Sequence, residues 1–95
     1  MKVVTICGSM KFAGEMQKIS ASLQMENGWC VLQPVYFSGD VKDGEVQNLK
    51  NAHLKKIELS DAIYVVNING YIGSSTKNEI EYAGKLGKEV IYHEK

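Results

Sequence analysis

Residues 62–67 read Ala-Ile-Tyr-Val-Val-Asn, AIYVVN, an unbroken apolar run that Asn69-Gly70 and Gly73 bring to a close. A run of this length without polar alternation is what a strand covered on both faces requires. Such strands belong to parallel sheets with helices on either side, so this stretch sets the class of the fold. Working upstream, Val46, Leu49, His53 and Ile57 mark one face of a helix that ends near Ser60-Asp61. Before it lies the loop YFSGDVKDGE (36–45), which begins at Pro34 and ends at about Glu45. Trp29 to Leu32 forms a short strand stopped by Gln33-Pro34. The chain opens with β-rich Val3 to Cys7, turns at Gly8-Ser9, and continues with Phe12, Met16, Ile19 and Leu23 at helical spacing until Asn27-Gly28. Downstream of the run, a helix is expected from about Thr76 to Leu86, and Glu89 to Tyr92 (EVIY) supplies a last strand after Gly87.

Strand and helix therefore alternate from end to end, which implies parallel pairing through right-handed crossovers. The expected architecture is α/β: a three-layer, flavodoxin-like open parallel sheet of about four strands, order 2-1-3-4, with helices on both faces. Residues 1–95 make one domain, since the chain is long enough for one core and too short for two. Ligands of such sheets bind beyond the carboxyl ends of the strands where the winding direction reverses, here between the first and third strands. Two loops meet there, GSMKF (8–12) and NINGYIGSST (67–76). Four strands leave two open edges, so a homodimer or higher homo-oligomer is expected.

Eleven basic residues balance eleven acidic ones, for a net charge of +0. No overall field draws in a nucleic-acid polymer or an anionic membrane, and an anionic ligand has to be held by local geometry. The apolar runs fall well short of the about 18 residues of a membrane helix, and Met1-Lys2 leads straight into a strand without a secretory pattern. A soluble cytoplasmic protein is expected. Cys7 and Cys30 lie beside β-type residues and in neither a CxxC nor a Cys/His spacing. They read as reduced core residues, with no metal site and no cofactor expected.

Gly8-Ser9 sits where a strand turns into a helix, a place where backbone N–H groups can hold a phosphate or a carboxylate. Equally, it is a tight turn with Ser9 as cap. Lys11 in the same loop either reaches an anion or is solvated. The later loop feeds Gly73-Ser74-Ser75-Thr76 into a helix that carries Glu79. Thr76 and Glu79 have the spacing of a capping box, in which the glutamate reaches back to the cap N–H. The alternative is a carboxylate kept ionised by the helix N-terminus and aimed into the crevice, as a nucleophile on an anomeric carbon must be. Glu81 turns to another face and reads as solvated. His53, on an inward stripe, is either a satisfied core histidine or a proton donor. Tyr36 and Phe37 either wall the pocket against a base or pack under their loop; Tyr64, Tyr82 and Tyr92 read as structural.

Taken together, CGS at the end of the first strand, SDAIYVVN (60–67), a Gly-rich turn, a glutamate and EYAGKLGKEVIY (81–92) resemble the nucleoside 2-deoxyribosyltransferases and the related 2'-deoxynucleoside 5'-phosphate N-hydrolases. The resemblance spans nearly the whole chain and is more specific in its second half, while CGS matches the hydrolase branch. It implies cleavage or exchange of the N-glycosidic bond of a 2'-deoxynucleoside or its 5'-monophosphate, with Glu79 attacking the anomeric carbon and His53 as acid/base. It further implies binding through Gly8, Ser9, Ser75 and Thr76 and a small-molecule nucleoside or nucleotide as ligand; the two loops that the topology brings together add Lys11, Phe12, Asn69, Gly70, Gly73 and Ser74 to the candidate binding set, and no cofactor is expected. The sequence departs from the family pattern at three positions. His53 stands where an aspartate acts on the leaving base, Gly73 where an aspartate binds sugar hydroxyls, and Ile6 where the first strand carries a tyrosine. A nucleotide- or nucleotide-sugar-binding domain that has lost the chemistry is the competing expectation.

Overall fold

A computed structural model describes residues 1–95. Its strands are β1 (Val3–Gly8), β2 (Cys30–Leu32), β3 (Ala62–Val66) and β4 (Glu89–Tyr92), joined by the helices α1 (Ala13–Asn27), α2 (Asp43–Leu59) and α3 (Ser74–Lys85). All pairings are parallel and the order is β2-β1-β3-β4, which is the sheet expected from the alternation of strands and helices. The register of the two central strands sets Val4 against Ala62 and Gly8 against Val66, so β1 and β3 end side by side.

Period-two alternation along these strands divides the core. Ile6 and Val66 face α1 and pack with Met16, Leu23 and Val31. Cys7, Ile63 and Val65 face the other way and pack with Ile57 of α2 and Ala83 of α3. Thr5, also on that second face, shares a buried hydroxyl hydrogen bond of 2.6 Å with Ser60 at the end of α2. The sheet is thus covered by α1 on one side and by α2 and α3 on the other. No helix is long and apolar enough to cross a membrane.

Two boundaries differ from the sequence expectation. α2 starts at Asp43, so the loop after β2 spans 33–42 and stops before Glu45. The reason is local: the Glu45 carboxylate accepts from the Lys42 N–H at 3.0 Å, and Asp43 and Glu45 place negative charge in the first turn, where the helix dipole favours it. α3 starts at Ser74 with Gly73 as N-cap, and no side chain caps it. Thr76 is therefore inside the helix and buried rather than capping it, and the Thr76–Glu79 capping box does not form. Glu79 lies a turn further in and its carboxylate is turned toward α2.

Candidate active site

A cavity of about 420 Å³ opens over the carboxyl ends of β1 and β3, within the size range of small-molecule sites. Its wall comes from four places: Gly8 at the end of β1 with Ser9 and Met10 after it; Pro34, Val35 and Phe37 after β2; Tyr71 and Gly73 to Thr76 after β3; and the inward face of α2, including Leu49, Lys50, His53 and Lys56. Glu79 is the one carboxylate in that wall.

The loops reach this place for identifiable reasons. After β1, a single 3-10 turn (Met10–Phe12) precedes α1, with Ser9 Oγ accepting from the Lys11 N–H at 3.3 Å. After β3, another 3-10 turn (Ile68–Gly70) carries Asn69 at φ 56°, a left-handed conformation that asparagine tolerates better than most residues. The C-terminal residues brace this turn: Glu94 accepts from the Asn69 N–H through its carboxylate at 2.9 Å, and the Asn67 amide bonds both backbone groups of Glu94. With Gly73 as cap, the first N–H groups of α3 keep no side-chain partner, and the residues bearing them line the cavity. That is a cradle for an anion.

At and just behind the cavity wall, three elements converge. His53 Nε2 lies 3.4 Å from Glu79 Oε1 and 3.5 Å from Cys7 Sγ. The His53 and Glu79 side chains are 11 % and 20 % exposed, and Cys7 is wholly buried. His53 Nδ1 is buried without a hydrogen-bond partner in the protein, so Nε2 is the nitrogen that engages its surroundings. Burial pushes the Cys7 thiol well above its ordinary range, and the neighbouring Glu79 carboxylate pushes it further in the same direction.

Of the residues singled out in the sequence, Gly8, Ser9, His53, Gly73, Ser74, Ser75, Thr76 and Glu79 share this cavity, whereas Lys11, Phe12, Asn69 and Gly70 lie outside its wall. The Lys11 ammonium sits 3.4 Å from the centre of the Tyr71 ring, and Phe12 meets Tyr71 edge-on at 6.0 Å. This stack ties the loop after β1 to the loop after β3. Phe37 is in the wall; Tyr36 turns away and donates to Gln33 Oε1 at 2.9 Å. Ile6 is buried toward α1 and is no part of the wall.

Sequence reasoning missed Cys7, Lys50, Lys56 and Tyr71 as neighbours of the site. Cys7 was detectable in principle, because strand alternation puts it on the face opposite Ile6. Which helices cover that face is a tertiary fact.

No protein-family model matches the chain, and no curated protein matches it either. Among solved structures, a 2-desoxiribosyltransferase from Leishmania mexicana superposes with a TM-score of 0.72 at 22 % identity, over 97 % of this chain and 63 % of that one. The chain thus spans less than two thirds of that protein's length. At this identity, the finding is that the two share one α/β fold.

Proposed function

We propose that the chain cleaves or exchanges the N-glycosidic bond of a 2'-deoxynucleoside or its 5'-monophosphate, with Glu79 as the nucleophile. The observation that carries this is the placement of Glu79 as the one carboxylate of the cavity, beside His53 of α2. The name of the similar structure agrees with it. An oxygen of Glu79 attacks C1', the C1'–N bond breaks through an oxocarbenium-like transition state, and the base leaves with the bonding pair and takes up a proton. Water or a second base then attacks C1' and releases Glu79. With no second carboxylate in the wall, His53 is the group that supplies and recovers the proton.

Ser9, Ser74, Ser75 and Thr76, with the backbone at Gly8 and Gly73, hold the sugar or its 5'-phosphate, and Lys50 supplies a cation on the facing wall. Lys11, Phe12, Asn69 and Gly70 act one step back, by keeping the two loops together. The test is a panel of deoxynucleosides and their 5'-monophosphates, followed by chromatography of the free base. Release should fall roughly 10⁴-fold in Glu79→Ala; a wild-type rate no higher than this variant's would remove the proposal.

A second reading, a nucleotide-binding domain without the chemistry, is favoured by Gly73, which brings no side-chain acceptor to the wall where a sugar hydroxyl would need one. It requires thermal stabilisation by a deoxynucleotide that persists in Glu79→Gln, with no base released by the wild type.

A further inference from the structure

Cys7 has no part in the glycosyl chemistry, yet its sulfur lies behind the cavity wall, against His53 and near Glu79. The three potential donor atoms, a thiol sulfur, an imidazole nitrogen and a carboxylate oxygen, all lie within 4.8 Å of one another. The sulfur–nitrogen and nitrogen–oxygen separations are 3.5 and 3.4 Å. A Zn²⁺ ion bonds sulfur at about 2.3 Å and nitrogen or oxygen at about 2.0 to 2.1 Å, so tetrahedral angles demand separations of about 3.5 and about 3.3 Å. These two edges meet that demand as they stand, and the sulfur–oxygen edge lies within 4.8 Å.

The donor set also selects the ion. One oxygen among three donors excludes Mg²⁺ and Ca²⁺, which require cages of oxygen, while sulfur and imidazole nitrogen suit the zinc end of the divalent series. A thiolate and a carboxylate neutralise a divalent charge, which matters where the ligands are largely withdrawn from water. The donors come from β1, α2 and α3, so packed elements rather than loops fix their positions. Because His53 and Glu79 line the cavity, the fourth tetrahedral position opens into it, as in sites where zinc keeps a place for water or a small ligand.

We propose that Cys7, His53 and Glu79 form a three-ligand site for a borderline-soft divalent cation of the Zn²⁺ class, with its open position facing the cavity. On binding, a metal–sulfur bond replaces the thiol S–H bond and the proton passes to solvent. The site itself stands independently of the glycosyl reading. Its consequence rests on that reading: a carboxylate bound to the ion is not free to attack C1', so occupancy switches the reaction off.

The test is titration of the full chain, reduced with a non-thiol reductant and stripped of metal, with Co²⁺. One equivalent should produce a thiolate-to-cobalt charge-transfer band together with the intense visible bands of tetrahedral cobalt, and Zn²⁺ should bleach both. Cys30→Ser should keep the signal and Cys7→Ser should lose it. Glu79→Gln, which alters a partly exposed side chain and leaves the core intact, should keep the sulfur band and weaken Co²⁺ binding at least 10-fold, with circular dichroism confirming the fold of each variant. Absence of a charge-transfer band, or a band that disappears in Cys30→Ser instead, overturns the site. These readouts need no turnover, so failure of the base-release assay does not touch them. Where base release is present, one equivalent of Zn²⁺ should suppress it more than 10-fold and a chelator should restore it; release that continues with the cobalt band present shows that Glu79 is not a ligand and overturns the three-ligand assignment.

Discussion

At Gly8 an added Cβ would lie 2.9 Å from Met16 Sδ and 3.2 Å from the Val66 Cβ, both buried in the core that faces α1. Packing crowds any side chain at this position, whatever else its backbone does for a ligand. Gly8→Ala should cost about 1–3 kcal/mol of stability, read from urea denaturation; an unchanged midpoint would mean that Met16 moves aside freely. Glu79 makes the opposite case. Its side chain is partly exposed and lines the cavity rather than the core, so under the proposed reaction Glu79→Gln should keep the unfolding free energy within about 0.5 kcal/mol of wild type while base release collapses. A large loss of stability in this variant would instead make the His53–Glu79 contact structural. These two residues show what the sequence made legible: a glycine at a strand-to-helix turn and a glutamate after a Gly/Ser-rich turn were conspicuous, but the reason for each was not.

Between elements, the two helices that carry His53 and Glu79 are tied by a hydrogen bond in which Tyr82 of α3 donates to Glu58 of α2 at 2.6 Å. The bond from Tyr82 is the main cause holding the Glu58 carboxyl below its usual range, opposed by burial and aided by Lys55 and Lys88. The same bond is the main cause raising the Tyr82 hydroxyl above its usual range. A lowered carboxylate contributes stability above its ordinary value of 4.5 and loses it as pH falls through the folded value. A raised phenol contributes below its ordinary value of 10.0 and loses the contribution as pH rises through the folded value. Wild type and Tyr82→Phe should therefore differ by a constant amount from about pH 5 to about pH 9 and converge at either end, as followed by urea midpoints across pH. A difference that does not change with pH would show that the bond is not what separates them. Glu58 is exposed and Tyr82 only half-buried, so the effect is small.

For the whole molecule, balanced charge leaves ligand capture to the cavity. A deoxynucleotide at about 100 times its Kd should stabilise the fold by about 2.7 kcal/mol, measured as a thermal shift; a panel of deoxynucleosides and 5'-monophosphates that gives no shift would count against any nucleotide site. The self-association expected from the strand count would have another basis in this structure. The edge strands β2 and β4 are only three and four residues long, and short edges are poor templates for pairing. Met10, Val35, Phe37 and Tyr71 instead leave exposed apolar surface around the cavity mouth. We propose that a second copy of the chain covers this rim. Sedimentation at micromolar concentration should then give twice the 10.6 kDa of one chain, and Phe37→Glu should return it to a monomer; a monomeric wild type sinks the idea.

The sequence by itself determined the order and kind of the elements, because the continuous run at 62–67, the helical stripes and the Gly/Asn punctuation are local consequences of burial and backbone freedom. It also determined which two loops meet, since a parallel order 2-1-3-4 puts them side by side whatever their side chains do. Only the tertiary structure decided that α2 and α3 cover one face and α1 the other, and that β1 and β3 end in register. Those two facts bring Cys7, His53 and Glu79 together from positions 46 and 26 residues apart in the chain, put Ile6 out of reach of the cavity, and turn Glu79 away from the cap it was spaced to close. Contacts between side chains so far apart depend on strand register and helix side, and neither quantity is written in any local stretch of residues.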